Sequence, residues 1–256
     1  QHIKRTRRGR VKGPRGIVMD LMFDPYTVLK FLHIIMAGLW LGMDMGVYNA
    51  GARLSNPKLS IETRAAMGKL GGFLDMGPRS AVVILLMLGI TMTALGGWGF
   101  TGGYGPDLAL AAAVVGVVWL SGLWHQFWVD HPNLGETRPD KHVKFQQHFR
   151  RIDLTMRIIV TAILAGTAIW SLVGDGPIIA TWLAVKLVLF AIIVSCGIGI
   201  RIYLPDTRKA IADIFANGST PEREAELTRR RSKMLIFVKT IWTLVAVVIW
   251  ISVAKF

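Results

Sequence analysis

Six apolar runs, at residues 26–48, 79–97, 107–129, 154–173, 177–202 and 234–254, are each long enough to cross a bilayer. A hydrocarbon core of about 30 Å takes about 20 residues of helix, and it holds no water to satisfy an unpaired backbone. Each run is therefore predicted to be a helix that makes its own hydrogen bonds. No stretch is left for a separate soluble domain. Residues 26–256 read as an all-α integral membrane protein, a six-transmembrane-helix bundle, with a basic tail at residues 1–25 ahead of it. The single cysteine, Cys196, lies inside the fifth run. It excludes an intrachain disulfide and carries no information on compartment.

A faint repeated hairpin organises the bundle. Asp75 and Arg79 stand at the start of the second run, which reaches Gly89; Asp153 and Arg157 stand at the start of the fourth, which reaches Gly166. Each of these runs turns through a short loop of glycine and aspartate into its successor, as parallel repeats do in membrane folds. The Asp/Arg pairs also fit a plainer role, a carboxylate at the positive end of a helix dipole with a partner one turn on.

Orientation follows from lysine and arginine between the runs. Residues 49–78 hold four, 130–153 hold five and 203–233 hold seven, whereas 98–106 and 174–176 hold none. By the positive-inside tendency the three basic loops are expected to be cytoplasmic, in the inner membrane of a bacterium. The tail opposes this assignment with Lys4, Arg5, Arg7, Arg8, Arg10, Lys12 and Arg15. Such an arm suits lipid head groups, and it is expected to contact a partner membrane protein of a larger complex. No nucleic-acid partner is expected.

The polar residues inside the runs carry the functional reading. At roughly 100° per residue, His33, Ala37, Trp40 and Asp44 share one stripe of the first helix, with Gly38, Gly42 and Gly46 opposite. The glycines are expected to admit a neighbouring helix. His33 lies eight residues past Pro25 and Lys186 nine past Pro177, about 12 and about 13 Å along helices that start from the same membrane face. The two groups therefore share a depth. A lysine there costs about 2.5–3.5 kcal/mol unless it is paired or snorkels to the interface, so it is expected to face the bundle interior. A histidine, a lysine and an aromatic ring at one depth suit a tetrapyrrole. The imidazole would be an axial ligand to haem iron and the lysine a second ligand or a propionate partner. Trp40 would line the macrocycle and Met92 stands at a depth that suits a sixth ligand. For His33 alone, a hydrogen-bonded core histidine is the competing reading.

A second set, His125 with Met43 and Met45, and with Asp44, Asp130, His131, His142 and His148 on the same side, offers copper as an alternative. Its spacing matches no compact metal motif. Trp119, Trp124 and Trp128 make the surroundings of His125 read equally as an interfacial aromatic belt. No phosphate loop, nucleophile elbow or zinc signature is present.

Four stretches together carry a resemblance. Leu29-Lys30-Phe31-Leu32-His33-Ile34-Ile35, with Trp40 and Val47-Tyr48-Asn49-Ala50, resembles the first helix of HemJ-type protoporphyrinogen oxidases and of the related CopD-like membrane domains. Trp182-Leu183-Ala184-Val185-Lys186-Leu187 resembles the family's lysine-bearing helix, Asp153 to Gly166 the helix before it, and Val253-Ala254-Lys255-Phe256 its end. The resemblance implies a membrane bundle that binds haem b, with the family's histidine and lysine at His33 and Lys186. It implies a redox role, oxidising a porphyrinogen-like substrate or passing electrons to a partner. Two departures stand out: Asn49 occupies a position where the family tends to carry histidine, and an extra hairpin, the second and third runs, follows the first helix. A non-catalytic accessory subunit of a membrane complex and a CopD-like copper-handling protein are the alternatives.

Overall fold

The computed structural model describes residues 24–96, 105–132 and 136–255; the basic tail up to residue 23 and most of the turn between the second and third runs lie outside them. Among the described residues seven helices follow in order: α1 (Pro25–Leu54), α2 (Ile61–Leu74), α3 (Met76–Leu95), α4 (Gly105–Asp130), α5 (Asp140–Val173), α6 (Thr181–Asn217) and α7 (Pro221–Ala254). Six helical segments are long and apolar enough to cross a membrane, with α2 and α3 forming one of them. No strand occurs among the described residues. The chain is the expected all-α six-helix membrane bundle.

Local chemistry sets several helix starts. Asp24 accepts from the Thr27 amide over 3.1 Å and Pro25 follows at the first helical position, where its missing N–H costs nothing. Ser60 caps α2 through the Thr63 amide, and Thr220 caps α7 just ahead of Pro221. Gly218 ends α6 at φ 84°, a conformation that disfavours any residue with a Cβ.

Among the described residues three cores pack the bundle, the smallest formed by Ala168 of α5, Ile178, and Leu183 and Ala184 of α6. Trp40 of α1, Ala81 and Leu85 of α3, Ile193 and Cys196 of α6, and Ile241 and Val245 of α7 bury one another. Met76 and Val83 of α3, Trp119 and Leu123 of α4, and Phe149 of α5 form the second. The hairpins α3–α4 and α5–α6 are both closely packed pairs, which agrees with the repeat. Their aspartates differ. Asp75 stands at the start of α3 beside Arg79, whereas Asp153 sits well inside α5, so the helix-start role fits only the first.

Lipid is as apolar as leucine, so helices in it associate through close fit more than through water exclusion. At Gly122 of α4 an added Cβ would collide with the Phe149 ring of α5. Gly38 and Gly42 differ from expectation: among the described residues nothing lies within 4 Å of a Cβ built at either. Gly46 alone of that stripe is covered, with Leu74 of α2 against it. We therefore expect Gly122→Ala to lower the thermal midpoint of the detergent-solubilised protein by several degrees and Gly38→Ala to leave it unchanged. Equal midpoints for the two variants would contradict the packing described.

On the face that carries the basic loops, α6 and α7 continue past their apolar runs as a helical hairpin, tied by Arg223 to Asp213 over 2.9 Å. Arg64 of α2 is 1% exposed and locks this hairpin to the α1–α2 corner: it donates to Leu54 O over 2.7 Å and to both carboxylate oxygens of Glu224, at 2.7 and 3.1 Å. Burial pushes the Glu224 carboxyl up, but the hydrogen bonds from Arg64 and Ser219 and the Arg64 charge outweigh it, so it titrates below its ordinary value of 4.5. The bridge therefore contributes its full stability above about pH 4.5 and loses it as the pH falls through the lower folded value. The destabilisation caused by Glu224→Gln should be largest at neutral pH and shrink on acidification, read from melting curves at each pH. A difference that is flat with pH would contradict the bridge.

Candidate functional site

His33 lies where α1 packs along α3. The His33 ring packs beside Gly89 of α3, where a Cβ would lie 3.6 Å from His33 Cε1, an ordinary van der Waals contact. Lys186 of α6 is near enough for its charge to act on His33, as the equal depths along the two helices predict. Among the described residues His33 Nδ1 is buried and has no hydrogen-bond partner. A buried ring nitrogen left in that state is costly, so it is suited to accept a ligand.

Trp40, two turns further along α1, is 5% exposed and meets the edge of Phe190 of α6 at a centroid distance of 6.5 Å. It closes the bundle beneath His33. Met92 is half-buried on α3, three residues past Gly89 and so on the same helical face. Lys255, at the end of α7, lies close enough to Lys186 for their charges to interact and places its Nζ 5.7 Å from the Trp182 ring centre. The end of the bundle that holds His33 therefore gathers an imidazole and two ammonium groups. Asp44, the last polar residue of the α1 stripe, is bound elsewhere: it accepts from Trp242 Nε1 of α7 over 2.5 Å.

The second candidate set occupies three neighbourhoods. His125 Nε2 shares a 2.9 Å hydrogen bond with His142 Nδ1 across the α4–α5 hairpin, with Trp128 and Phe145 around the pair. Met43 lies against Gly77 at the start of α3, and Met45 is half exposed on α1. Among the described residues no group of three or more histidine, cysteine, aspartate or glutamate side chains converges to hold a metal ion.

A further polar centre lies at the other end of the bundle. Asp153 is fully buried and accepts from three helices at once: Trp119 Nε1 of α4 at 2.7 Å, Arg157 Nε of α5 at 3.1 Å, and Arg201 Nη1 of α6. The pair Asp153/Arg157 was visible in the sequence as an i to i+4 match. Arg201 was not singled out, because at the end of its apolar run it looks like an interfacial cation. The signal available was charge balance: two arginines enter the membrane region at one level and a single acid meets them.

No family model, curated protein or solved structure matches this chain. The functional reading therefore rests on the chemistry of the two polar centres. The His33 centre offers an electron-pair donor in an apolar, lipid-embedded environment with cations beside it. The Asp153 centre ties α4, α5 and α6 together and holds more positive charge than negative.

Proposed function

We propose that this chain is a haem b-binding integral membrane redox protein, with His33 as axial ligand. The observation that carries the reading is the buried, unpartnered Nδ1 of His33, in a ring whose Cε1 lies beside Gly89 and which is within reach of the Lys186 charge. An imidazole nitrogen in an apolar bundle is a donor suited to haem iron, and the donor set present fits the group. Lys186 is then the second ligand or the partner of a propionate, and Lys255 adds a cation at the same end for a ligand bearing two carboxylates. Trp40 forms the floor of the pocket, and Met92 is the other side chain on α3 placed to approach it. The resemblance to HemJ-type oxidases and CopD-like domains puts the haem histidine and lysine at these same two positions.

Haem b, when bound, supplies a one-electron ferric–ferrous couple. The chain's own residues position it, exclude water and set its potential through ligation and burial. The electrons come from a porphyrinogen-like substrate or pass to a partner, and the basic loops 49–78, 130–153 and 203–233 face the cytoplasm of a bacterium in this reading. The alternative, a non-catalytic accessory subunit of a larger membrane complex, is favoured by Gly38 and Gly42, where none of the described residues lies within 4 Å of an added Cβ.

Haem extracted from the purified protein, measured per polypeptide, tests the assignment. The wild type is expected to retain haem, His33→Ala to lose most of it, and Lys186→Ala to keep part with an altered spectrum. Haem content unchanged in His33→Ala would move the ligand to another residue.

A further inference from the structure

Asp153 is surrounded by more positive charge than it can neutralise. Two guanidinium groups, those of Arg157 and Arg201, share its one carboxylate. Arg79, already matched by Asp75, lies close enough for its charge to act on both. Across these five groups, three cations face two anions. Arg157 is 6% exposed, and its Nη2 and that of Arg201 are buried without a hydrogen-bond partner. Unmatched charge and unpaired donors are both costly inside a membrane bundle, where ionised groups are ordinarily paired. An oxyanion accepting from the unused Nη2 groups would supply the missing negative charge and the missing acceptors, and the planar fork of arginine is suited to such pairing.

We propose that Arg157 and Arg201 hold a phosphate group through the donors that Asp153 leaves unused, at the end of the bundle where the basic loops meet the bilayer. Arginine pockets between transmembrane helices at that level suit anionic head groups. The phosphate is that of an anionic lipid or of free inorganic phosphate, and the two sources share the chemistry of recognition. This centre lies on the opposite side of the Trp40 core from His33, so the proposal is independent of the haem assignment.

The test uses the full chain in mild detergent and reads its thermal midpoint. Sodium phosphate is compared with sodium chloride at equal ionic strength, and phosphatidylglycerol with phosphatidylcholine. A rise with inorganic phosphate assigns a soluble ligand, and a rise with phosphatidylglycerol alone assigns a lipid head group; either supports the site. Arg157→Lys keeps a charge opposite Asp153 but lacks Nη2, and is expected to weaken the response about tenfold, as is Arg201→Lys, the loss of one charge-assisted hydrogen bond. Arg229→Gln, on the outer surface of α7, should leave it unchanged. Identical midpoints in all four additions would overturn the proposal, as would a response that both lysine variants preserve. Where a lysine variant fails to fold, the selectivity of the wild type still decides.

Discussion

Asp153→Ala should destabilise the bundle by about 3–5 kcal/mol, because it leaves the arginines Arg157 and Arg201 without their shared carboxylate. Asp153 is fully buried and accepts hydrogen bonds from three helices, so its loss also strands Trp119 Nε1. The expected outcome is a variant that is inserted but elutes as aggregate on size exclusion and melts far below the wild type. Asp153→Asn isolates the charge: it keeps an acceptor for Trp119 and loses the ion pairs. It should retain less than half of the lost stability, since hydrogen bonds to charged groups are worth about 1.5–3 kcal/mol and neutral ones about 1. An Asp153→Ala protein as stable as the wild type would mean that the arginines find water or another anion in its place.

Trp40→Ala is the second large effect expected, about 3 kcal/mol, from the void left among α1, α3, α6 and α7. In lipid the loss comes chiefly from forfeited packing contacts, since no water is excluded by the helices' association. The same void opens the floor beneath His33, so haem retention should fall with stability. Trp40→Phe separates the two consequences, because it refills part of the volume and keeps a ring against Phe190. Melting curves and haem content of both variants check this. A Trp40→Ala protein with unaltered melting would show that the tryptophan does not organise the core.

The bundle was legible in the sequence because the bilayer permits few solutions: an apolar run of about 20 residues has to be a helix. The shared depth of His33 and Lys186 was expected for a similar reason, since helices starting from the same face place equal residue counts at equal depth. What the sequence could not show was rotation. Gly38 and Gly42 were expected to pack a neighbouring helix, yet none of the described residues comes within 4 Å of a Cβ at either position. Arg201 was hidden for the same reason: a cation at the end of an apolar run looks alike whether it snorkels outward or turns inward to Asp153. The pairing of His125 with His142 depended on how α4 and α5 meet, which spacing alone does not state.

The measurement that tests the central assignment most directly is the reduced-minus-oxidised visible spectrum of the detergent-purified wild-type protein from haem-replete cells. A b-type haem difference spectrum, lost in His33→Ala, is the result predicted. A colourless wild-type protein would contradict the assignment and leave the buried Nδ1 of His33 to another ligand.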